Sequence, residues 1–393
     1  MEKLKEKVLN NQSEITKNKK RRFPSKQFIL LFSLLSVCVI INVVAWKSTA
    51  FCDWYTANIF PLWQNIYGRI TSLVPFSFGE ILIMIAVFGI PVSLVLMVIL
   101  LVLRKKGRKK ILKVFGYIYG WIIAFVVVTE TLNCFVLYHC SDFATLNGIE
   151  TSQHTAEELE KLGYIMIDRL NSLSGEVSRD EKGRFVLTSD LDETAKKAMK
   201  NLSGEFRNLD GFYVTPKPVY CSFFMSQVNL MGIYFPFSME ANYNNDMFRA
   251  KLPDTVCHEL AHTKGYIQED EASFIAFMAC DRSGNAEYEY SGYLSAFSEV
   301  RNRIFEYADD ETKIAFDSSL DNSVWVDIEA NNNYWQSVRE AEDTVIDSET
   351  AGKISDSAME TSLKMNGVKD GKKSYGRVTD LLLNYFSDEI NKP

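Results

Sequence analysis

Three long apolar runs dominate the first third of the chain. Phe28 to Trp46 carries no charge over 19 residues, Ile81 to Leu103 follows, and a third begins at Val114 and reaches about Thr129. Each is long enough to cross a bilayer as a helix, which takes about 20 residues. Pro91 predicts a kink in the second run. Glu130 falls at the outer end of the third, within reach of the interface, and the helix is expected to continue above the membrane through Tyr138. Between the first two runs, in residues 47–80, Tyr55, Ile59, Leu62, Trp63, Ile66 and Ile70 recur at helical spacing. That spacing predicts a helix that either lies at the membrane interface or packs against a soluble domain. Pro75 to Glu80 then turns the chain back.

Beyond residue 139 the pattern becomes that of a water-soluble domain of some 250 residues, large enough for its own core. Leu159, Leu162, Ile165, Ile167 and Leu170 predict a helix over Thr155 to Ser174, and Leu191 to Met199 opens another. Pro216 and Pro218 break the helical pattern. Gly232 to Phe237 reads as a short edge strand, since Pro236 is tolerated only at an edge, and Glu240 to Asn244 reads as a loop. Tyr293 to Tyr307 predicts a helix. The acidic, Asn-rich stretch from Asp309 to Asn333 reads as solvated connections with short helices, Asn366 to Gly371 as a loop, and Tyr375 to Phe386 as a final helix.

Charge is distributed unevenly over this pattern. Residues 1–27 hold nine Lys/Arg against three Glu, residues 104–113 hold seven basic residues and no acid, and residues 139–393 hold 25 basic and 44 acidic residues. An acidic bulk with basic patches beside apolar runs excludes a nucleic-acid binder. It fits a membrane protein whose basic tail and basic loop stay in the cytoplasm. Three spans then place the region after 139 outside. The expected organisation is a cytoplasmic basic tail (1–27), a three-span membrane domain (28–138) with outer loop 47–80 and inner loop 104–113, and an extracytoplasmic domain (139–393). The seven cysteines are scattered without a C-x-x-C pair, so neither a disulfide scaffold nor a cysteine metal site is indicated.

The chemistry concentrates at His258-Glu259-Leu260-Ala261-His262, an H-E-x-x-H pattern in a chain with only four histidines. Pro253 and Asp254 suit a helix start and Gly265 a helix stop. On a helix, residues i and i+4 share a face, so both imidazoles can reach one zinc ion, with Glu259 beside the open position that takes water. The ordinary alternative is two surface histidines on an amphipathic helix. A third ligand is needed. A histidine three residues after Gly265 would supply it in one known pattern, but Gln268 stands there. Glu271 heads an apolar stripe with Phe274, Ile275 and Met278, and a core-facing carboxylate needs a partner. Glu271 is therefore the expected third ligand. Glu269 and Asp270 are read as acids serving the positive end of their helix. Cys257 reads as a packing residue and His154 as a helix-cap neighbour.

Several segments together resemble the uncharacterised bacterial membrane family called domain of unknown function 3810. They are Pro75-Phe76-Ser77-Phe78-Gly79, Tyr234-Phe235-Pro236-Phe237, Glu240-Ala241-Asn242, the His258–His262 motif, Glu269-Asp270-Glu271-Ala272, Ser291-Gly292-Tyr293-Leu294, Asn366-Gly367 and Ser374-Tyr375-Gly376. The family looks like a membrane-tethered zincin. The resemblance implies that His258, Glu259, His262 and Glu271 match its zinc site, and a location in the bacterial cell membrane.

The expected fold is mostly α: three N-terminal transmembrane helices followed by an α+β zincin-like extracytoplasmic domain. The expected function is a membrane-anchored zinc metallopeptidase that hydrolyses extracytoplasmic peptides or proteins. His258, His262 and Glu271 would hold Zn2+, Glu259 would act as base, and Tyr293 or Tyr375 would donate to the oxyanion. The bilayer and a peptide substrate are the expected partners. The alternative is a non-catalytic membrane scaffold or sensor with a zincin-like peptide-binding domain. An intramembrane protease fits less well, because Lys251, Asp254 and Lys264 flank the motif.

Overall fold

The computed structural model describes residues 25–104, 106–149, 154–341, 347–367 and 377–392. It is mostly helical. Among the described residues, three helices are long and apolar enough to cross a bilayer: α1 (Lys26–Ala45), α4 (Phe78–Leu103) and α5 (Arg108–His139). Between the first two lie α2 (Thr49–Asn58) and α3, a helical stretch built from Phe60–Trp63, Gln64–Gly68 and Arg69–Thr71. α4 runs through Pro91 unbroken. It widens into a π turn at Ile85–Gly89 just ahead of the proline, whose ring removes a donor that a regular turn would use. Tyr375 and the basic run Lys17 to Arg22 lie outside the described residues.

Two compact units divide the chain. One combines the residues up to Ile40 with Leu96–Val128, and the other combines Ile41–Val95 with Thr129–Pro393. The first is a helix pair in which Leu31 packs on Gly120 and Ser25 bonds the Tyr117 hydroxyl.

The second unit carries the candidate chemistry. Its further helices are α6 (Phe143–Asn147), α7 (Ala156–Ser174), α8 (Leu191–Lys200), α9 (Ser222–Gln227), α10 (Leu252–Thr263), α11 (Glu269–Asp281), α12 (Ala286–Phe305), α13 (Asp310–Ser318), α14 (Asn322–Arg339), α15 (Ser348–Met365) and α16 (Val378–Tyr385). α7 matches the predicted helix. Its start is set by a reciprocal capping box in which Thr155 and Glu158 each bond the other's backbone N–H. The stretch from Asp309 to Asn333 is more ordered than its composition predicts. Asp327 on α14 is fully buried and accepts from Arg179 (2.9 Å), Phe185 N (2.7 Å) and Tyr290 (2.6 Å), which ties a polar helix into the core.

Three strands form one sheet in the order β1 (Lys217–Val219), β3 (Glu240–Asn244), β2 (Gly232–Phe235), with β1 parallel and β2 antiparallel to β3. β2 is an edge strand, as predicted, but it stops at Phe235, before Pro236, rather than running on to Phe237. Glu240–Asn244 is not a loop: it is the buried central strand. Strand alternation puts Ala241 and Tyr243 into the main core with Leu252, Val256 and Leu260 of α10. Glu240, Asn242 and Asn244 face the other way. There Glu240 meets Lys217 (2.6 Å) and accepts from Phe78 N (3.1 Å) and Gly79 N (2.8 Å), the first donors of α4. A strand whose polar side chains serve a helix end reads as a turn in sequence.

Candidate metal centre

α10 begins on Leu252 with Pro253 in its first turn and stops where Gly265 adopts a left-handed φ of 97°. A Cβ at Gly265 would also come within 2.7 Å of Thr56 Cγ2. One face of α10 packs Leu252, Val256, Cys257, Leu260 and Ala261 into the core, so Cys257 is a packing residue as expected. The opposite face presents His258, Glu259 and His262 to a cleft of about 870 Å³.

The third group at this point is Glu269. Its Oε2 lies 3.0 Å from His258 Nε2 and 3.7 Å from His262 Nε2. The ligand atoms of all three residues fall within 4.8 Å of one another. The far side of each ring is held as well. His262 Nδ1 lies 2.7 Å from the Tyr266 carbonyl, and His258 Nδ1 lies 3.2 Å from Ser273 Oγ. A carbonyl only accepts, so His262 Nδ1 carries hydrogen and Nε2 is the atom that offers a lone pair once the ring is neutral. The Ser273 hydroxyl permits the same tautomer at His258. Rings oriented from behind in this way are a general feature of metal-ligating histidines.

The structure does not bring Glu271 to this point. Its Oε1 accepts from Phe143 N at 2.8 Å, at the start of α6. α11 is turned so that Glu269, Ser273 and Phe277, at i, i+4 and i+8, line the cleft. Glu271 therefore faces another helix end, and its buried carboxylate is served by that end's N–H. The expectation of a core-facing acid in need of a partner was met by a backbone donor. Reading Glu269 as a helix-end acid overlooked Ser273, four residues on and on the same face. Gln268 donates to the Tyr138 carbonyl (3.4 Å). Tyr293 is buried with its hydroxyl on Asp281 (2.7 Å), which removes it as an oxyanion donor. Of the other histidines, His139 packs on Trp46 and His154 sits beside Glu158.

Charge in the cluster is uneven. Burial opposes ionisation of Glu269, but its bonds to His258 and His262 outweigh that and hold the carboxyl well below its usual range. Burial also opposes a charge on His262, yet Glu269 and the Tyr266 carbonyl raise it to about 9. His258 is pushed down by burial, with Glu269 only partly restoring it. The closer of the two rings thus carries the lower pKa, because burial dominates at His258 and the neighbouring His262 adds to it. Burial pushes Glu259 up to about 8, eased by His262 and reinforced by Glu269.

Glu259 is only 5 % exposed, and its Oε2 has no hydrogen-bond partner. Its carboxylate packs on Gly232 of β2, where a Cβ would come within 2.7 Å of the carboxylate carbon. β2 lines the cleft with Gly232, Ile233 and Tyr234, preceded by Met231. Asn244 N donates to Met231 O at 2.7 Å. Antiparallel alternation then pairs Ile233 and Phe235 with β3 and turns the backbone groups of Gly232 and Tyr234 to the free edge.

Residues 55–383 match the family described as protein of unknown function DUF3810. The chain belongs to that family. No curated protein and no solved structure matches it significantly. What this DUF3810 chain can do chemically therefore rests on its own residues: two oriented imidazoles, an ionised carboxylate, a buried acid with a free oxygen, and an open strand edge in one cleft.

Proposed function

We propose that this protein is a membrane-anchored zinc metallopeptidase, acting outside the cytoplasm on peptide or protein substrates. The observation that carries the reading is the convergence of His258, His262 and Glu269 beside the unpartnered oxygen of Glu259. Tetrahedral zinc sets its ligand atoms about 3.3 Å apart, and the separations of 3.0 and 3.7 Å around Glu269 fit that set. Two nitrogens and one carboxylate also suit zinc and leave a fourth position open. Bound zinc supplies Lewis acidity, which polarises a carbonyl and makes water nucleophilic near neutral pH.

The chain's own residues supply the rest. Glu259, with one oxygen free and its carboxyl raised by burial, takes a proton from water and hands it to the leaving amine. The outward N–H and C=O groups of Gly232 and Tyr234 bond an extended peptide as an added strand, holding it across the motif helix. Three apolar helices support the membrane anchor. The basic tail and the basic loop at 104–113 support a cytoplasmic location for those segments and an outside location for the cleft.

The test is metal analysis of the purified full chain together with cleavage of an unbiased peptide mixture. One zinc per chain is expected, lost in His258→Ala and Glu269→Gln and kept in Glu271→Gln and Glu259→Gln. Cleavage is expected from wild type and not from Glu259→Gln. Zinc-loaded wild type that is as inactive as Glu259→Gln would leave a binding module. Sidedness is read with an impermeant thiol reagent on a cysteine at Ser172, with the native cysteines replaced. Labelling only after lysis would overturn the outside location.

A further inference from the structure

The unit that holds the cleft exposes aromatic side chains beside the first turn of α4. Tyr220 is 95 % exposed, Phe224 62 % and Phe223 45 %. No charged side chain occurs between Lys217 and Glu240. These aromatics sit on a rigid base. Glu80, in the first turn of α4, accepts from Tyr220 N (2.9 Å) and Cys221 N (2.7 Å), and Ser222 bonds the Val219 carbonyl (2.6 Å). The knuckle from Tyr220 to Phe224 is thus fixed to the helix end at which the apolar run begins.

Two other exposed apolar features lie at the same place. Phe76 and Phe78, at the entry to α4, pair with ring centroids 5.7 Å apart. Leu62, Ile66 and Ile70 form an exposed stripe along α3 at helical spacing, and exposed Leu73 follows in the turn after it. Lys217 Nζ joins the two segments by bonding both Thr71 O (2.6 Å) and Phe76 O (3.0 Å). From Ile81 onward α4 exposes apolar side chains along its length, as a lipid-facing helix does. Aromatic side chains level with the first turn of a span lie at headgroup depth, where they are favoured. A protein partner would have to displace lipid there, so lipid is the occupant the geometry selects.

We infer that the Tyr220–Phe224 knuckle is a bilayer-docking surface, and that it places the lip of the cleft at the lipid interface. The lip follows directly in the chain: α9 leads into Val228 to Met231, which line the cleft. The substrates of such a cleft are polypeptide segments lying at the membrane surface. Docking rests on α4 being a span, and the substrate class rests on the metallopeptidase reading.

The experiment uses the full chain in nanodiscs of phosphatidylethanolamine and phosphatidylglycerol, with photoreactive benzoylphenylalanine in place of Phe224, Val87 or Ser172. Mass spectrometry counts lipid adducts. Phe224 is expected within about threefold of Val87 and about tenfold or more above Ser172, as for a side chain at headgroup depth. Adducts at Val87 with Phe224 at the level of Ser172 overturn the docking, and chain-to-chain crosslinks at Phe224 in place of lipid adducts overturn it in favour of self-contact. Absence of adducts at Val87 overturns the membrane reading beneath it. A second arm compares a lipid-anchored peptide with the same peptide free. Wild type is expected to cut the anchored form faster, and the Phe223→Ser, Phe224→Ser double variant to cut both alike. Equal preference in the two proteins overturns the substrate class while leaving the metallopeptidase reading standing.

Discussion

Glu240 and Glu259 are both buried carboxylates within one compact unit, and they are provided for in opposite ways. Glu240, 1 % exposed, has Lys217 and two backbone N–H groups on its oxygens. Glu259 keeps one oxygen unpartnered beside two imidazoles. A satisfied buried charge holds elements in place, because removing one partner leaves the other uncompensated. An unsatisfied one is held by its surroundings at a cost and stays available for a proton. Burial alone does not separate the two residues; the hydrogen-bond inventory does.

The largest effect that would break the comparison is on rate. Glu259→Gln is expected to lower peptide cleavage by about 10²–10⁴-fold, the usual contribution of a positioned base, with zinc content and thermal midpoint held. A large fall in midpoint would make Glu259 a structural acid like Glu240. The converse substitution, Lys217→Met, strands Glu240 and should cost about 3–5 kcal/mol in unfolding experiments, while zinc stoichiometry stays at one in the folded fraction. Unchanged stability would show that the clamp carries no load.

Smaller changes sharpen the account of the cleft. Ser273→Ala removes the group behind His258 Nδ1 and should weaken zinc binding by about 10–100-fold, measured by chelator competition. Zinc affinity should also rise with pH. Glu269 is held ionised, so the competing proton is the one on His262, and between pH 6 and about 9 affinity gains about tenfold per unit. The same proton acts oppositely on the chelator-treated protein. His262 is raised from 6.5 to about 9, so its contribution to stability is fully present below pH 6.5 and is lost as pH rises through 9. A pH-independent affinity would remove His262 from the ligand set. Smallest is Glu271→Gln, whose amide oxygen still accepts from Phe143 N. Stability should change by no more than about 1 kcal/mol and zinc binding not at all.

The motif helix, the three apolar helices, α7 and the edge strand were legible because each depends on periodicity or on local punctuation. Gly265 marks the end of its helix in sequence and in space alike, and Pro236 marked β2 as an edge strand. What was not legible depends on rotation and on distant donors. Glu269 and Glu271 differ by about 200° around a helix axis. Which of them faces the histidines is decided by how α11 lies against α10, and a one-dimensional pattern does not hold that angle. Ser273 was the available clue, since it shares a face with Glu269. The central strand was missed because its polar side chains serve Lys217 and the start of α4, partners far away in sequence.

The stop of α10 has a consequence for the imidazole four residues before its partner. Gly265 turns the backbone so that the next carbonyl, Tyr266, comes back onto His262 Nδ1. The turn therefore acts as a tautomer lock: it decides which ring nitrogen keeps hydrogen and which is left basic. Backbone handedness at one residue and acid–base polarity at another become a single property, and only a residue without a Cβ can express it.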